Sequence, residues 1–132
     1  MILKAGTILV NGDKIGLIYR DYYDDYTFPK GHLEKGETLI ECAIRETEEE
    51  TKVSVNVLDK EPIYIEKYID SNNNKCDCHY YLVNYKGKSD NKSLETHELV
   101  WTDFDKVYDK LTYDSSKEMW KQIHDRVREV IK

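Results

Sequence analysis

Cysteine is scarce in this sequence, and the few that are present exclude two kinds of site. There are three cysteines, Cys42, Cys76 and Cys78. An odd number argues against a complete disulfide framework, and the spacing lacks the pairs of a zinc site. Such cysteines are typical of reduced thiols in the cytosol, so we expect a cytoplasmic protein and assign them no chemistry.

Long apolar runs and an excess of positive charge are also lacking. Nothing resembles a signal peptide or an apolar stretch of about 18 residues, so neither secretion nor membrane insertion is supported. Lysine and arginine number 20 against 26 aspartate and glutamate residues, a net charge of −6. Such a chain lacks the basic surface of a duplex nucleic-acid binder, and an anionic substrate would need local cations.

What the sequence does contain is an alternation of strand and helix patterns typical of one α+β domain spanning residues 1–132. Asn11-Gly12-Asp13 between two apolar runs predicts a β-hairpin. We expect loops over residues 21–26 and 86–93, and a last helix capped by Asp114 or Ser115. Whether the protein forms a homodimer is left open. Four further segments are predicted to form strands and one is predicted to form a short helix. The strands are Val53–Val57, Pro62–Ile69, Cys76–Tyr85 and Leu99–Trp101, and the helix is Asp103–Leu111.

A glutamate-rich helix in the first half of the chain is the clearest pattern. Thr38 followed by Glu41 is a capping-box signature, which predicts where the helix begins. The mostly apolar stripe that follows can pack on a sheet. Its residues are Ile40, Ala43, Ile44 and Thr47.

Three glutamates of this helix share a different face. Glu46, Glu49 and Glu50 are spaced i, i+3 and i+4, so their carboxylates converge and repel each other unless a cation lies over them. Hard oxygen ligands suit Mg²⁺, Mn²⁺ or Ca²⁺. Arg45, four residues before Glu49, is placed to orient one of them. A solvated acidic face is the alternative interpretation, and the preceding loop bears on the choice.

That loop and the helix together resemble the Nudix family. Gly31, Glu37 and the run from Arg45 to Glu50 match the spacing of the Nudix box, GX5EX7REUXEEXGU, where U is a bulky aliphatic residue. Two positions depart from the motif. Thr47 stands where an aliphatic residue is usual, and Lys52 where a glycine follows the helix, which questions the left-handed turn expected there.

The resemblance implies an architecture and a chemistry. The Nudix fold is an α/β/α sandwich with a mixed sheet between helices, and its members use Mg²⁺ or Mn²⁺ to hydrolyse a pyrophosphate bond in nucleoside diphosphate-linked substrates. By the motif, Glu46 and Glu50 are metal ligands and Glu49 is a ligand or base partner. Arg45 orients these carboxylates.

Outside the helix, the resemblance implies further site residues. A backbone carbonyl near Lys30 and Gly31 completes the metal shell in this interpretation, and the Lys30 side chain contacts a phosphate. A more distant glutamate often reaches the metal or acts as the general base in such proteins. Glu49, Glu95 and Glu98 stay open for that role, with Glu95 favoured over Glu98.

Within the family, the segments YTFPKGHLEKGE, HYYLVNY and LTYDSSKEMW are similar to those of the small diadenosine tetraphosphate hydrolases. His79 stands where those enzymes have a basic phosphate-binding residue, and strand alternation places Tyr81 on the same face as His79. Both are candidate substrate contacts, and the alternative is a packing role within the sheet. Tyr22, Tyr23 or Tyr26 could stack on a base. The alternatives are a nucleoside triphosphate, ADP-ribose or RNA 5′-end pyrophosphatase and, from another class, a non-catalytic nucleotide-binding module.

Overall fold

A parallel pair of strands forms the centre of the fold. In the computed structural model, which describes residues 1–131, β1 (Ile2–Asn11) lies parallel to β7 (Lys75–Lys88). Residues 5–10 of β1 are all buried, so both faces of this strand are covered. Such burial is usual for parallel strands with helices on both sides of the sheet.

Six further strands complete a mixed eight-stranded sheet. They are β2 (Lys14–Arg20), β3 (Asp25–Thr27), β4 (Lys30–His32), β5 (Val53–Val57), β6 (Tyr64–Ile69) and β8 (Glu98–Asp103). Antiparallel pairing joins β2 and β4 to β1, and β5 and β6 to β7. β3 and β8 pair with β2. The hairpin predicted at Asn11-Gly12 is confirmed, with Gly12 at a φ of 63°.

Helices cover both faces of this sheet. α1 (Leu39–Thr51) packs on one face, and α3 (Asp114–Arg128) with the short α2 (Val107–Lys110) packs on the other. Successive residues of β7 point to opposite sides, so Tyr81 joins the core under α1 whereas Tyr80 joins the core under α3. The predicted α/β/α sandwich with a mixed sheet is therefore present.

Several predicted boundaries need correction. β7 continues through residues 86–88, which were expected to form a loop, because Lys88 pairs with Val53. Asp25 and Tyr26 belong to β3 because they pair with β2. Tyr113, and not Asp114 or Ser115, precedes α3, and within residues 1–131 its first turn has no side-chain cap. Among the helices described, none has the length and apolar character needed to cross a bilayer.

Candidate active site

The start of α1 follows the predicted capping box. The Thr38 hydroxyl accepts a hydrogen bond from the Glu41 amide at 3.1 Å, and the Glu41 carboxylate accepts one from the Thr38 amide at 2.8 Å. Two amide groups that the helix leaves free are thereby satisfied. The helix therefore begins at a defined residue, which places Glu46, Glu49 and Glu50 at fixed positions relative to the sheet.

The end of α1 keeps the left-handed turn in spite of its lysine. Lys52 adopts a φ of 59° and a ψ of 35°, and its amide donates to the Glu48 carbonyl at 2.9 Å. The Lys52 ammonium group donates to the Glu49 carbonyl at 2.9 Å, so a cation also satisfies the last turn. These bonds offset the steric cost that a non-glycine residue carries in this conformation.

Thr47, the other departure from the motif, lies on the buried face of α1. Its hydroxyl is 2.8 Å from the Thr7 hydroxyl of β1 and donates to the Ala43 carbonyl at 2.8 Å. A buried hydroxyl needs a partner, and Thr7 supplies one from the neighbouring strand. The helix therefore packs on β1 through a polar pair where the motif expects an aliphatic contact.

Three carboxylates meet beside α1. Oxygen atoms of Glu46, Glu49 and Glu95 all lie within 4.8 Å of one another. Glu95 comes from residues 89–97, which connect β7 to β8. The structure therefore places Glu95 beside the helix. Exposed Glu98 lies at the start of β8.

Glu50 faces a different set of partners from the other two helix glutamates. One Glu50 oxygen accepts a hydrogen bond from the Lys30 amide at 2.9 Å, and the other lies 3.7 Å from the His97 ring nitrogen. We expected the carboxylates of Glu46, Glu49 and Glu50 to converge, whereas the group of oxygens within 4.8 Å of one another consists of Glu46, Glu49 and Glu95. Glu95 is the third carboxylate of this group, and Glu50 lines the same cleft from the side of β4.

Arg45 holds the carboxylates in place, as predicted. Its Nη1 donates to Glu46 at 2.8 Å and to Glu49 at 2.9 Å, and its Nε donates to Glu37 at 2.6 Å. The hydrogen bond to Glu37 is the main cause that raises the pKa of the guanidinium, and the same bond lowers the pKa of Glu37. Nη2 donates to the His32 carbonyl at 2.9 Å and so connects this network to β4.

Burial disfavours the charged form of two carboxyl groups in spite of Arg45. Burial and the nearby charge of Glu46 raise the pKa of Glu50 to about 8. Burial also raises the pKa of Glu46, although the hydrogen bond from Arg45 opposes this shift. Carboxylate oxygens that lie close together, and whose mutual repulsion Arg45 offsets only in part, suit a hard divalent cation such as Mg²⁺ or Mn²⁺. The residues present therefore fit the metal that the motif implies.

Gly31 is needed here because of a close approach and not because of its backbone angles. A Cβ atom at this position would overlap the carboxyl group of Glu46. Gly31 lies in β4 and pairs with Ala5 of β1, so the strand cannot shift away without breaking the sheet. The first glycine of the motif therefore lets β4 come close enough for its backbone to face the carboxylates.

These groups line one cleft of about 570 Å³. We define the cleft by its lining residues, Lys4, Arg20, Tyr23, Lys30, Gly31, His32, Glu34, Arg45, Glu46, Glu49, Glu50 and Glu95. Its lysines and its Arg20 bring the local cations that an anionic substrate requires in a chain of net charge −6. Lys30 is among them, and its ammonium lies 3.8 Å from a Glu66 carboxylate oxygen and 5.1 Å from the centre of the Tyr68 ring.

Two cations of the cleft were not predicted, Lys4 and Arg20. Arg20 is fixed by the buried Asp25, whose oxygens accept from Arg20 Nε at 2.8 Å and Nη2 at 2.5 Å, and Tyr113 donates to the same carboxylate. The sequence signal for Arg20 is a charged residue that ends an apolar strand. Lys4 interrupts the apolar pattern of β1 in a similar way.

His79 and Tyr81 do not line the cleft. Tyr81 is 5% exposed and packs with Ala5, Cys42 and Val83 beneath α1. His79 lies on β7 between Ala5 of β1 and Ile65 of β6. The expectation that these residues contact substrate is thus corrected, because their strand runs behind α1 and not along the cleft.

The chain belongs to the NUDIX domain family, whose model matches residues 2–124. Recognition of the family from the motif is therefore confirmed. Among curated proteins, an 8-oxo-(d)GTP phosphatase of Mycolicibacterium smegmatis is 29% identical over 106 residues. This match covers 80% of the present chain but only 32% of the relative, so the chain spans about a third of that protein's length.

Solved structures show the same fold. A NUDIX hydrolase from Nitrosomonas europaea superimposes with a TM-score of 0.79 at 20% identity, covering 95% of this chain and 89% of that one. A C. elegans Ap4A hydrolase in a binary complex gives a TM-score of 0.80 at 18% identity, covering 98% of this chain and 99% of that one. At such identities, the likeness establishes the fold alone.

Proposed function

We propose that this Nudix domain hydrolyses a pyrophosphate bond in a nucleotide substrate with the help of Mg²⁺ or Mn²⁺. The observation that carries the proposal is that the carboxylate group of Glu46, Glu49 and Glu95 shares one cleft with Lys4 and Lys30. A polyphosphate complexed with a divalent cation requires both kinds of contact. The match to a nucleotide phosphatase and to hydrolase structures supports an enzyme of this class.

In this proposal, the carboxylates have separate tasks. Glu46 and Glu50 are buried and would hold the metal together with Glu49. A bound divalent ion would neutralise the charge that builds up on the phosphate oxygens. Glu49 is engaged by Arg45 whereas Glu95 is exposed on its loop, so we assign Glu95 the role of accepting the proton from the attacking water. Arg45 keeps the helix carboxylates oriented.

We favour a dinucleoside polyphosphate such as diadenosine tetraphosphate as the substrate. Lys4 and Lys30 give the cleft cations for a chain of several phosphates, and Arg20, which is bonded to Asp25, lines it as well. Tyr23 lines the cleft with 60% of its surface exposed, and the Arg20 guanidinium lies 4.4 Å from the centre of its ring. A base would therefore stack on the ring face opposite Arg20. A nucleoside triphosphate is the second candidate, because the curated relative is an 8-oxo-(d)GTP phosphatase.

A substrate panel with Mg²⁺ tests this proposal. The panel comprises diadenosine tetraphosphate, 8-oxo-dGTP, unmodified nucleoside triphosphates, ADP-ribose and 5′-triphosphorylated RNA, with products separated by chromatography. ATP plus AMP from the first compound is the expected result. Hydrolysis of triphosphates alone would favour the second candidate, and survival of every compound would favour a non-catalytic nucleotide-binding module.

Matched glutamine variants identify the base. Glu95→Gln should lower kcat by about 10²–10⁴-fold, the usual contribution of a general base. Glu98→Gln is the control, because Glu98 is an exposed acid three residues further along that starts β8. If Glu98→Gln loses the activity and Glu95→Gln keeps it, the assignment of the base is wrong.

A tyrosine pair tests base recognition in the same way. Tyr22 and Tyr23 are adjacent and both exposed, but only Tyr23 lines the cleft among the residues described. The Tyr22 ring packs edge-on against the Tyr23 ring, with centroids 5.1 Å apart. Tyr23→Ala should therefore raise KM for the dinucleotide more than Tyr22→Ala does, because only the first change removes the ring that lines the cleft. Equal effects of the two changes would remove Tyr23 from the proposed binding site.

The state of the cysteines is relevant to the cellular location of the protein. Cys42, Cys76 and Cys78 are free thiols, and all three are buried. Free thiols are kept unpaired in reducing compartments, which supports our proposal of a cytoplasmic location.

A further inference from the structure

Glu95 lies in a segment that has no regular structure of its own. Residues 89–97 form neither helix nor strand in the described chain, and Glu95 is exposed. Its carboxylate nevertheless meets those of Glu46 and Glu49. The position of Glu95 therefore depends on bonds between this segment and the rest of the molecule.

The end of α1 supplies those bonds. The Lys52 carbonyl accepts from the Ser89 amide at 2.9 Å, and the Lys52 ammonium donates to the Ser93 carbonyl at 2.6 Å. The Glu50 carbonyl accepts from the His97 amide at 2.9 Å. Both ends and the middle of the segment are thus attached to the last turn of the helix that carries Glu46 and Glu49.

Only one of these three bonds depends on a side chain, and it leads directly to Glu95. Ser93, whose carbonyl accepts from Lys52, also accepts from the Glu95 amide through its hydroxyl at 3.1 Å. The Lys52 ammonium, Ser93 and Glu95 therefore form a short chain of contacts. The other two bonds join backbone groups and do not require a particular residue at position 52.

The backbone at Lys52 gives no reason for a lysine. A φ of 59° lies in the left-handed region, which glycine adopts without steric cost. Glycine is also the usual residue of the motif at this position. A residue in a strained backbone conformation persists where its contacts with the surrounding structure hold it there. What lysine adds over glycine here is an ammonium group that reaches both the Glu49 carbonyl and the Ser93 carbonyl.

We propose that Lys52 is a positioning residue that fixes residues 89–97 against α1 and thereby places the Glu95 carboxylate in the cleft. The inference rests on the proposed function for its catalytic consequence. The link itself is independent of any substrate, because it concerns contacts within the protein.

The test compares Lys52→Gly and Lys52→Arg with the unchanged protein. Glycine removes the ammonium and also the strain, so the melting temperature should stay the same or rise while the segment loosens. Amide hydrogen exchange at Glu95 and His97 should accelerate, and kcat should fall by about tenfold to a hundredfold, the scale of a small misplacement of a reacting group. Arginine keeps a cationic donor and should restore most of kcat.

Lys92→Met is the matched control, because Lys92 is an exposed lysine of the same segment. The Lys92→Met variant should show the same amide hydrogen exchange and the same kcat as the unchanged protein. If Lys52→Gly does not fold, Lys52→Asn replaces it, since asparagine also tolerates the left-handed region and cannot reach Ser93.

The outcomes separate the two proposals. Unchanged exchange and unchanged kcat in Lys52→Gly would overturn the positioning role, as would a loss of kcat accompanied by a lower melting temperature and normal exchange. If the unchanged protein hydrolyses no nucleotide, the proposed function fails, and faster exchange in Lys52→Gly would still support the attachment of the segment by Lys52.

Discussion

Replacing Glu50 by glutamine tests the electrostatics of the cleft with little change in volume. Glu50 is 7% exposed, and its pKa is raised to about 8, first by burial and second by the charge of Glu46. Glutamine keeps an oxygen that can accept from the Lys30 amide but carries no charge. The variant therefore removes the titrating carboxyl group while it preserves the main hydrogen bond.

The sign of the effect follows from proton binding. The pKa of Glu50 rises from 4.5 to about 8 on folding, so the folded state holds a proton that the unfolded state releases between these values. The stability due to this proton is fully present below about pH 4.5 and is lost as the pH rises through about 8. Between about pH 6 and pH 8 the loss amounts to at most about 2 kcal/mol.

The assay is thermal unfolding in the presence of a chelator at pH 6 and pH 8. The unchanged protein should lose about 6–10 °C more than Glu50→Gln over this range, since 1 kcal/mol corresponds to about 3–5 °C for a domain of this size. Glu48→Gln is the control, because Glu48 lies on the same helix and is not one of the cleft residues. It should follow the unchanged protein.

Addition of Mg²⁺ extends the test. At pH 8, a ligand that binds the folded state at about 100 times its Kd stabilises by about 2.7 kcal/mol, so the unchanged protein should recover its melting temperature. Glu50→Gln should respond less because it lacks one anionic oxygen donor. Parallel pH dependence of the unchanged protein and Glu50→Gln without metal would refute the buried charge on which the argument depends.

Three further predictions concern the helix and its contacts. Thr38→Ala should lower the free energy of unfolding by about 0.5–2 kcal/mol in denaturant titrations, because it removes the helix cap. Gly31→Ala should abolish hydrolysis, because the added methyl group overlaps the carboxylate of Glu46 and displaces it. Its cost in the same denaturant titrations should be small, because only the end of one flexible side chain has to move. In a double-mutant cycle, Thr7→Val or Thr47→Val alone should cost about 1–3 kcal/mol, and the double variant should cost less than their sum.

Features that depend on neighbouring residues in the chain could be predicted from the sequence. The capping box at Thr38 and the spacing of Glu46 and Glu49 are properties of one helix, so helical geometry alone places these carboxylates together. Arg45 reaches Glu49 for the same reason. The family resemblance added the α/β/α arrangement and suggested a distant glutamate.

Features that depend on strand pairing could not be predicted in this way. Lys4 shares a cleft with Lys30 because β4 pairs with the beginning of β1, and Arg20 comes to the same cleft from the end of β2. Tyr81 was a candidate substrate contact because it shares a strand face with His79, but α1 covers the face to which Tyr81 points. Alternation shows that two faces exist and does not show which face a helix covers.

The two departures from the Nudix box show why a motif position should be interpreted together with its contacts. Thr47 pairs with Thr7 of β1, and Lys52 pairs with Ser93 of the segment that carries Glu95. Both partners lie outside the motif. Restoring the usual residue at either position would therefore remove a contact: an aliphatic residue at 47 would leave the Thr7 hydroxyl without its present partner, and glycine at 52 would release Ser93. Each departure thus belongs to a pair of contacting residues, and a change at the motif position requires a matching change at its partner, Thr7 or Ser93.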